Sequence, residues 1–231
     1  MKVIFLDITG VISLWSQWGG RFVSISKYKT SCRGSYIASV PVDIRNDKFD
    51  GKSVKILNEI LFNTDAEIVV TSSDWKSSNT IEELVELFEL RKIKKVPIFV
   101  TPTILDSSLS IEEIRIKEIE LYLSEHSEVS EWVILDHLDL RSLSERAVWC
   151  SSNIEGIKMD GKQQLIVKML GCRYVSKEAV KKKEHKAVIK ENKLERSKEF
   201  KKNAKAKKSI ERAAKLKEKQ KKDMFLEDRL Y

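Results

Sequence analysis

Long hydrophobic runs are missing from this chain, and cysteine is scarce. No stretch of the 231 residues approaches the ~20 consecutive apolar residues that a membrane-spanning helix needs. The three cysteines, Cys32, Cys150 and Cys172, fit no metal-ligand spacing and cannot all pair with one another. This usage is typical of a reducing compartment. We therefore expect a soluble, cytoplasmic protein that has no membrane partner.

The segment that follows Ser176 also lacks glycine and proline, as far as Lys222. Lysine, glutamate and alanine dominate it, and this composition predicts a helical tail over 173–231. Its apolar residues are sparse and keep no heptad register, which argues against a stable coiled coil. We expect a globular domain over 1–172, followed by this extension.

Charge is divided unevenly between these two parts. Residues 177–222 hold 20 of the 43 basic and 7 of the 35 acidic residues, a net charge of +13, which leaves −5 for the rest. Such a basic segment favours non-specific binding of nucleic acid or another polyanion. The alternative is a solvated helix with Glu–Lys pairs four residues apart. The lysines that we expect to contact nucleic acid are Lys181, Lys182, Lys183, Lys201, Lys202, Lys207 and Lys208.

Short apolar runs alternate with helical patterns along the globular part. The predicted strands are 3–6, 66–71, 97–100, 132–135 and 147–150. The predicted helices are 53–63, two that start at the capping boxes Thr80–Glu83 and Ser110–Glu113, and one capped by Asp160 that runs to residue 170. This alternation predicts an α/β fold, a Rossmann-like three-layer sandwich with a central parallel sheet.

Three of the predicted strands run directly into polar residues: Asp7, Thr71-Ser72 and Asp136. The carboxyl ends of parallel strands share one edge of a sheet, where open α/β sheets bind ligands. Taken alone, Asp7 is also compatible with a turn cap beside Gly10. Together, two carboxylates can share a Mg²⁺ ion, a threonine can hydrogen-bond a phosphate, and Arg115 or Lys117 can balance its charge.

This set of motifs resembles the haloacid dehalogenase (HAD) superfamily of Mg²⁺-dependent phosphotransferases, and most closely the HAD domains of Swiss Army Knife RNA repair proteins. The resemblance covers roughly residues 1–170 in order and at suitable spacing. The stretches that carry it are VIFLDITGVIS (3–13), ILNEILFNTDAEIVVTSSDWK (56–76), RIKEIELYL (115–123) and WVILDHLDL (132–140).

The resemblance implies a role for each of these residues. Asp7 would attack phosphorus and form an aspartyl-phosphate. Thr71, with Ser72 beside it, would hold the phosphate, and Arg115, rather than Lys117, would neutralise it. Mg²⁺ would be bound by Asp7, Asp136 and the backbone carbonyl of Thr9. The implied activity is a phosphatase that acts on nucleic-acid ends or nucleotides.

Two positions depart from the pattern of the superfamily. Thr9 stands where most of its phosphatases have a second aspartate, which protonates the leaving group and activates water. Losing one acid/base group costs roughly 10²–10⁴-fold in rate, and the superfamily includes working members with a threonine here, the P-type ATPases. The alternative is a weak or inactive scaffold that binds nucleic acid through its tail.

His137 is the second departure, because the related pattern usually has another acid there. Asp139 is one candidate to supply the missing acid. His137 itself could act as the acid/base or be purely structural.

Residues 13–50 lie where HAD proteins carry cap elements, between the first strand and the first helix. The segment has no clear periodicity and is predicted to be irregular. Its tryptophan and tyrosine rings suit a flap that stacks on bases, while its arginine and lysine residues meet phosphates. The alternative is a surface hairpin in which Trp15 and Trp18 cover the edge of the sheet.

Overall fold

A computed structural model describes residues 1–31, 40–151 and 155–176, together with residues 186, 188–190, 193 and 195. Contacts divide the chain into two units, residues 1–175 and 176–231. The seven tail lysines that we expect to bind nucleic acid lie outside the described residues. The helical tail and its start at residue 173 therefore stay predictions.

A five-stranded parallel sheet forms the centre of the first unit, in the order β3-β2-β1-β4-β5. Its strands are β1 (Lys2–Leu6), β2 (Glu67–Val70), β3 (Pro97–Val100), β4 (Glu131–Asp136) and β5 (Ala147–Trp149). The longer helices are α1 (Gly20–Ser31), α3 (Gly51–Thr64), α5 (Ile81–Leu90), α6 (Ile111–Glu125) and α7 (Lys162–Met169). Two short helices are α2 (Val42–Arg45) and α4 (Ser73–Ser78). Among the described residues, no helix has both the length and the apolar character needed to cross a membrane.

Side chains alternate between the two faces of the sheet along each strand. Both faces of β1 are apolar, and helices cover both faces. Ile4 and Leu6 of β1 belong to the larger apolar cluster, which includes residues of α3, α5 and α7. Val3 and Phe5 belong to a second cluster, which includes residues of α6. The predicted α/β class with a central parallel sheet is confirmed.

Side-chain capping explains where α3, α5 and α6 begin. Thr80 and Ser110 each form the complete capping box that the sequence predicts, at the starts of α5 and α6. The prediction for the last helix is wrong, since Gly161, with φ +78°, occupies the N-cap of α7 instead of Asp160. Glycine adopts this left-handed conformation without the strain that a Cβ atom would add.

The sequence predicts that the insertion between β1 and α3 is irregular. This prediction is wrong, because the insertion includes the helices α1 and α2. The hairpin alternative is also wrong for the described residues. The backbone N–H of Arg21, in the first turn of α1, donates to Asp47 Oδ1 at 2.9 Å. Phe22 and Val23 in α1 are 64% and 57% exposed. Because these apolar residues face solvent, α1 has no buried stripe that hydrophobic periodicity could reveal.

Candidate active site

Three neighbouring strands end at the same level of the sheet. Leu6 at the end of β1 is in register with Val70 of β2 and Leu135 of β4. Asp7, Thr71 and Asp136 are the next residues along these strands, and the backbone continues their alignment. The N–H of Asp7 donates to the carbonyl of Leu135 at 2.9 Å, and the N–H of Thr71 donates to that of Leu6 at 3.0 Å. The parallel topology thus brings these polar side chains together.

Arg115 joins the three strand ends from the first turns of α6. Its Nη1 atom donates to Asp136 Oδ2 at 2.6 Å and to Thr71 Oγ1 at 3.0 Å, and lies 3.7 Å from Asp7 Oδ1. All four residues are buried. A buried guanidinium between two carboxylates balances charge that would otherwise be costly to bury. The structure therefore brings together Asp7, Thr71, Arg115 and Asp136, as the sequence predicts.

The carboxylate of Asp7 has two further partners, Ser72 and His137. Ser72 Oγ donates to Asp7 Oδ1 and accepts a hydrogen bond from the N–H of Ile8 at 2.5 Å. The imidazole Nδ1 of His137 hydrogen-bonds the other oxygen, Asp7 Oδ2. The backbone carbonyl of His137 accepts from the indole Nε1 of Trp149 at 3.0 Å, which anchors the histidine over the site. The side chain of His137 thus contacts the Asp7 carboxylate directly.

The two aspartates of this site differ in their electrostatic environments. Burial raises the pKa of Asp7, but the His137 hydrogen bond and the Arg115 charge outweigh it, so that its pKa lies below the ordinary value of 3.8. Burial and the charge of Asp7 together raise the pKa of Asp136 to about 7. The hydrogen bond to Asp7 raises the pKa of His137 above 6.5. Asp7 therefore loses its proton at a lower pH than Asp136 does.

Thr9, two residues after Asp7, is held by hydrogen bonds to residues of α4. Its hydroxyl donates to Asp74 Oδ2 at 3.0 Å and accepts from the indole Nε1 of Trp75 at 2.9 Å. Gly10 follows with φ +75°. Gly156 packs against this loop so closely that a Cβ atom there would lie 2.4 Å from the carbonyl oxygen of Val11. The loop after β1 is thus closely supported, and a side chain at position 156 would displace it.

Two residues that the sequence offers as alternatives do not join the cluster. Lys117 is exposed and lies near Asp106 and Glu113. Asp139 forms an ion pair with Arg141 at 2.6 Å, and both side chains are about half exposed. A helix turns about 100° per residue, so positions 115 and 117 point in different directions. Arg115 is therefore the cation of this site among these candidates.

The sequence did not predict that Asp74, Trp75 and Lys76 of α4 make contacts around the site. Lys76 Nζ is buried and pairs with Glu118 Oε2 at 2.7 Å, and it also lies 3.0 Å from the carbonyl oxygen of Pro102. This pair connects α4 to α6 on the side of Arg115. The six-residue helix is too short to show a periodic pattern. The available signal was the run of polar residues directly after Thr71-Ser72.

The cluster also offers ligands for a divalent cation. One ligand atom from each of Asp7, Asp136 and His137 lies within 4.8 Å of the others. Carboxylate oxygens are the ligands that Mg²⁺ prefers. Burial and the charge of Asp7 oppose ionisation of Asp136, and a bound cation would offset both effects. The donor set therefore fits a metal ion of this kind.

These shifts predict how stability changes with pH in the metal-free protein. Asp136 binds its proton more tightly when the chain is folded, so the free energy of unfolding should fall as pH rises from 3.8 to about 7. The raised pKa of His137 also lowers the free energy of unfolding as pH rises above 6.5. The lowered pKa of Asp7 has the opposite effect, but only below pH 3.8. Urea unfolding in a chelator across this range should show the decline, and Asp136→Asn should reduce it. An unchanged slope in that variant would contradict the assignment.

Comparison with known proteins agrees with this arrangement. A family model described as the HAD domain in Swiss Army Knife RNA repair proteins matches residues 3–159, which include every residue of the cluster and all of the sheet except Lys2. No curated protein and no solved structure matches the chain. The first unit thus has the scaffold of HAD-type phosphatases, a superfamily that generally uses a divalent metal. The chain belongs to the family of HAD domains found in Swiss Army Knife RNA repair proteins.

Proposed function

We propose that the protein is a Mg²⁺-dependent phosphatase that removes phosphate from nucleic-acid ends or nucleotides through an aspartyl-phosphate on Asp7. The observation that carries this proposal is a pair of buried carboxylates, Asp7 and Asp136, at the ends of adjacent parallel strands, with Arg115 between them. Burying two acids so close together is unfavourable for stability alone, and phosphoryl transfer needs this combination of nucleophile and cation.

Each side chain has a part in the proposed reaction. An Asp7 oxygen attacks phosphorus, while Arg115, Thr71 and Ser72 bind and orient the phosphoryl oxygens. Asp7, Asp136 and the backbone carbonyl of Thr9 would hold Mg²⁺. The ion would neutralise charge on the phosphate.

The insertion supports a substrate that carries bases. Trp15, Trp18 and Phe22 are 54%, 69% and 64% exposed, and the Arg21 guanidinium lies 5.1 Å from the ring centre of Phe22. A cavity of about 330 Å³ beside them is lined in part by Trp18, Lys27 and Lys48. Exposed rings with nearby cations suit base stacking combined with phosphate contacts.

Phosphate release with Mg²⁺ tests this function. Matched RNA oligonucleotides with a 5′-phosphate or a 3′-phosphate should be compared with the corresponding mononucleotides. We expect release from at least one oligonucleotide, and it should stop in a chelator and return when Mg²⁺ is added. Release from mononucleotides alone would restrict the substrate class, and no release from any of them would contradict the proposal.

A second candidate function is nucleic-acid binding with little or no hydrolysis. It is favoured by Thr9, which replaces the usual acid/base aspartate, and by the net charge of +13 over 177–222. In this case the basic tail would make the main contacts, and turnover would be absent or slow. The phosphate-release experiment separates the two functions, because only the first requires Asp7-dependent turnover.

Neutralising the tail in the full chain should weaken nucleic-acid binding. We expect replacement of all seven candidate lysines by glutamine to lower the dependence of log Kd on log salt by up to ~5, since each phosphate contact contributes about 0.7 with single strands. Fluorescence anisotropy over a range of salt concentrations measures Kd and therefore this slope. A matched variant with seven glutamines in the first unit, at exposed lysines such as Lys52, Lys55 and Lys94, is the control. An unchanged slope in the tail variant would contradict tail binding. The replaced lysines are Lys181, Lys182, Lys183, Lys201, Lys202, Lys207 and Lys208.

A further inference from the structure

Asp74 is a carboxylate next to the cluster that the proposed reaction does not yet use. Its Oδ2 atom lies 3.0 Å from the hydroxyl oxygen of Thr9, the residue that replaces the usual second aspartate. Asp74 itself is exposed, and Thr9 is half-buried. Because Thr9 follows Asp7 by two residues, this contact places Asp74 beside the loop that leaves the cluster.

We propose that Asp74 replaces the missing second aspartate by working through the Thr9 hydroxyl, which passes protons between the substrate and Asp74. This inference rests on the proposed phosphatase function. Asp74 is then a positioning residue that orients the hydroxyl and exchanges protons with it, while Thr9 is the group that meets the substrate.

The hydrogen bonds around Thr9 leave the hydroxyl suited to this role. A threonine hydroxyl has one proton and two lone pairs. The proton points to Asp74, and one lone pair accepts from Trp75 Nε1 at 2.9 Å. The second lone pair remains for a proton from water. When Asp74 instead carries a proton and donates it, the Thr9 proton is available to a leaving group.

The helix that carries Asp74 is fixed on several sides. Trp75 is buried, and its ring centre lies 5.6 Å from that of Phe49. Lys76 pairs with the buried Glu118. Asn79, at the C-cap of α4, exchanges hydrogen bonds with Asn46. Because these contacts hold α4 in place, the short contact between Asp74 and Thr9 does not depend on a mobile segment.

The proton and bond changes balance over the two steps. In the first, an Asp7 oxygen forms a bond to phosphorus, the bond to the leaving oxygen breaks, and that oxygen takes the Thr9 proton as Thr9 takes one from Asp74. In the second, a water oxygen forms a bond to phosphorus and the Asp7–phosphorus bond breaks. The water proton passes to Thr9 and the Thr9 proton to Asp74. The sum is hydrolysis of a phosphate monoester.

Asp74→Asn separates proton transfer from positioning, because the amide oxygen can still accept the hydrogen bond from Thr9. We expect kcat to fall by roughly 10²–10⁴-fold with little change in KM. On p-nitrophenyl phosphate, whose leaving group needs little protonation, we expect a burst of roughly one nitrophenolate per protein before slow turnover. The burst marks a phosphoenzyme that accumulates when the second step is slowed.

Rescue provides a readout that a structural role would not move. Thr9→Asp supplies an acid directly, so Thr9→Asp with Asp74→Asn should turn over faster than Asp74→Asn alone. Asp160→Asn, at an exposed aspartate outside the cluster, is the matched control and should leave kcat unchanged. Thermal unfolding of each variant checks that the fold is retained.

Different results overturn different claims. Wild-type kcat in Asp74→Asn would overturn the role of Asp74 and leave the phosphatase intact. A fall in kcat with neither a burst nor rescue by Thr9→Asp would also overturn it, in favour of a purely structural contact. No turnover by the wild-type protein on any substrate tested would overturn the phosphatase function, and this inference with it.

Discussion

Replacing Asp7 by asparagine is expected to reduce Mg²⁺-dependent phosphate release by ~10⁴-fold or more, the scale seen when a catalytic nucleophile is lost. The amide is nearly isosteric with the carboxylate, and its oxygen can still accept the hydrogen bond from Ser72. The charge that attacks phosphorus, however, is removed. The contact between Arg115 and Asp136 at 2.6 Å remains to balance the guanidinium, so the fold should be retained.

Two measurements test this prediction beyond the rate itself. Acid-quenched wild-type protein should gain the mass of one phosphoryl group during turnover, and Asp7→Asn should not. Asp139→Asn is the matched control, because Asp139 is an exposed aspartate that pairs with Arg141 rather than with the cluster. We expect wild-type turnover in this control.

Substantial activity in Asp7→Asn would exclude Asp7 as the nucleophile. Equal losses in Asp7→Asn and Asp139→Asn would indicate that the assay reports general destabilisation rather than chemistry at Asp7. Loss in Asp7→Asn alone, without a phosphoryl mass on the wild type, would support a role for Asp7 in binding but not an aspartyl-phosphate.

Replacing Arg115 by methionine should be the most destabilising single change in the cluster. The variant leaves the buried carboxylates of Asp7 and Asp136 without the guanidinium that contacts both. Breaking a buried charge pair by removing one partner typically costs ~3–5 kcal/mol. Urea unfolding at pH 8 in a chelator measures the loss, and phosphate release should fall in the same variant because the phosphate loses its cation.

Lys117→Met is the matched control for this prediction. It removes a lysine two positions further along the same helix, at an exposed site outside the cluster, and surface changes of this kind usually stay within ~0.5 kcal/mol. Similar stabilities for the two variants would contradict the role of Arg115 as the balancing charge. Added Mg²⁺ should recover part of the stability lost in Arg115→Met, because a cation can replace some of the missing positive charge.

Local patterns determined much of this fold before any contact was known. The capping boxes at Thr80 and Ser110 predicted the starts of two helices, since the groups that satisfy a helix start lie within four residues of one another. The apolar strands that end in Asp7, Thr71 and Asp136 predicted an edge of polar side chains, because parallel strands align their carboxyl ends. α1 could not be predicted in this way, as its apolar residues Phe22 and Val23 face solvent.

The sequence by itself therefore determined the parallel sheet and the order of strands and helices along the chain. It also determined four residues of the candidate site, Asp7, Thr71, Arg115 and Asp136. Only the tertiary structure decided that His137 contacts Asp7 and that Asp74 holds the hydroxyl of Thr9. The first set follows from periodicity and from the ends of strands, which are local properties of the chain. The second set joins residues 130 and 65 positions apart, and the directions of their side chains are set by packing between separate elements.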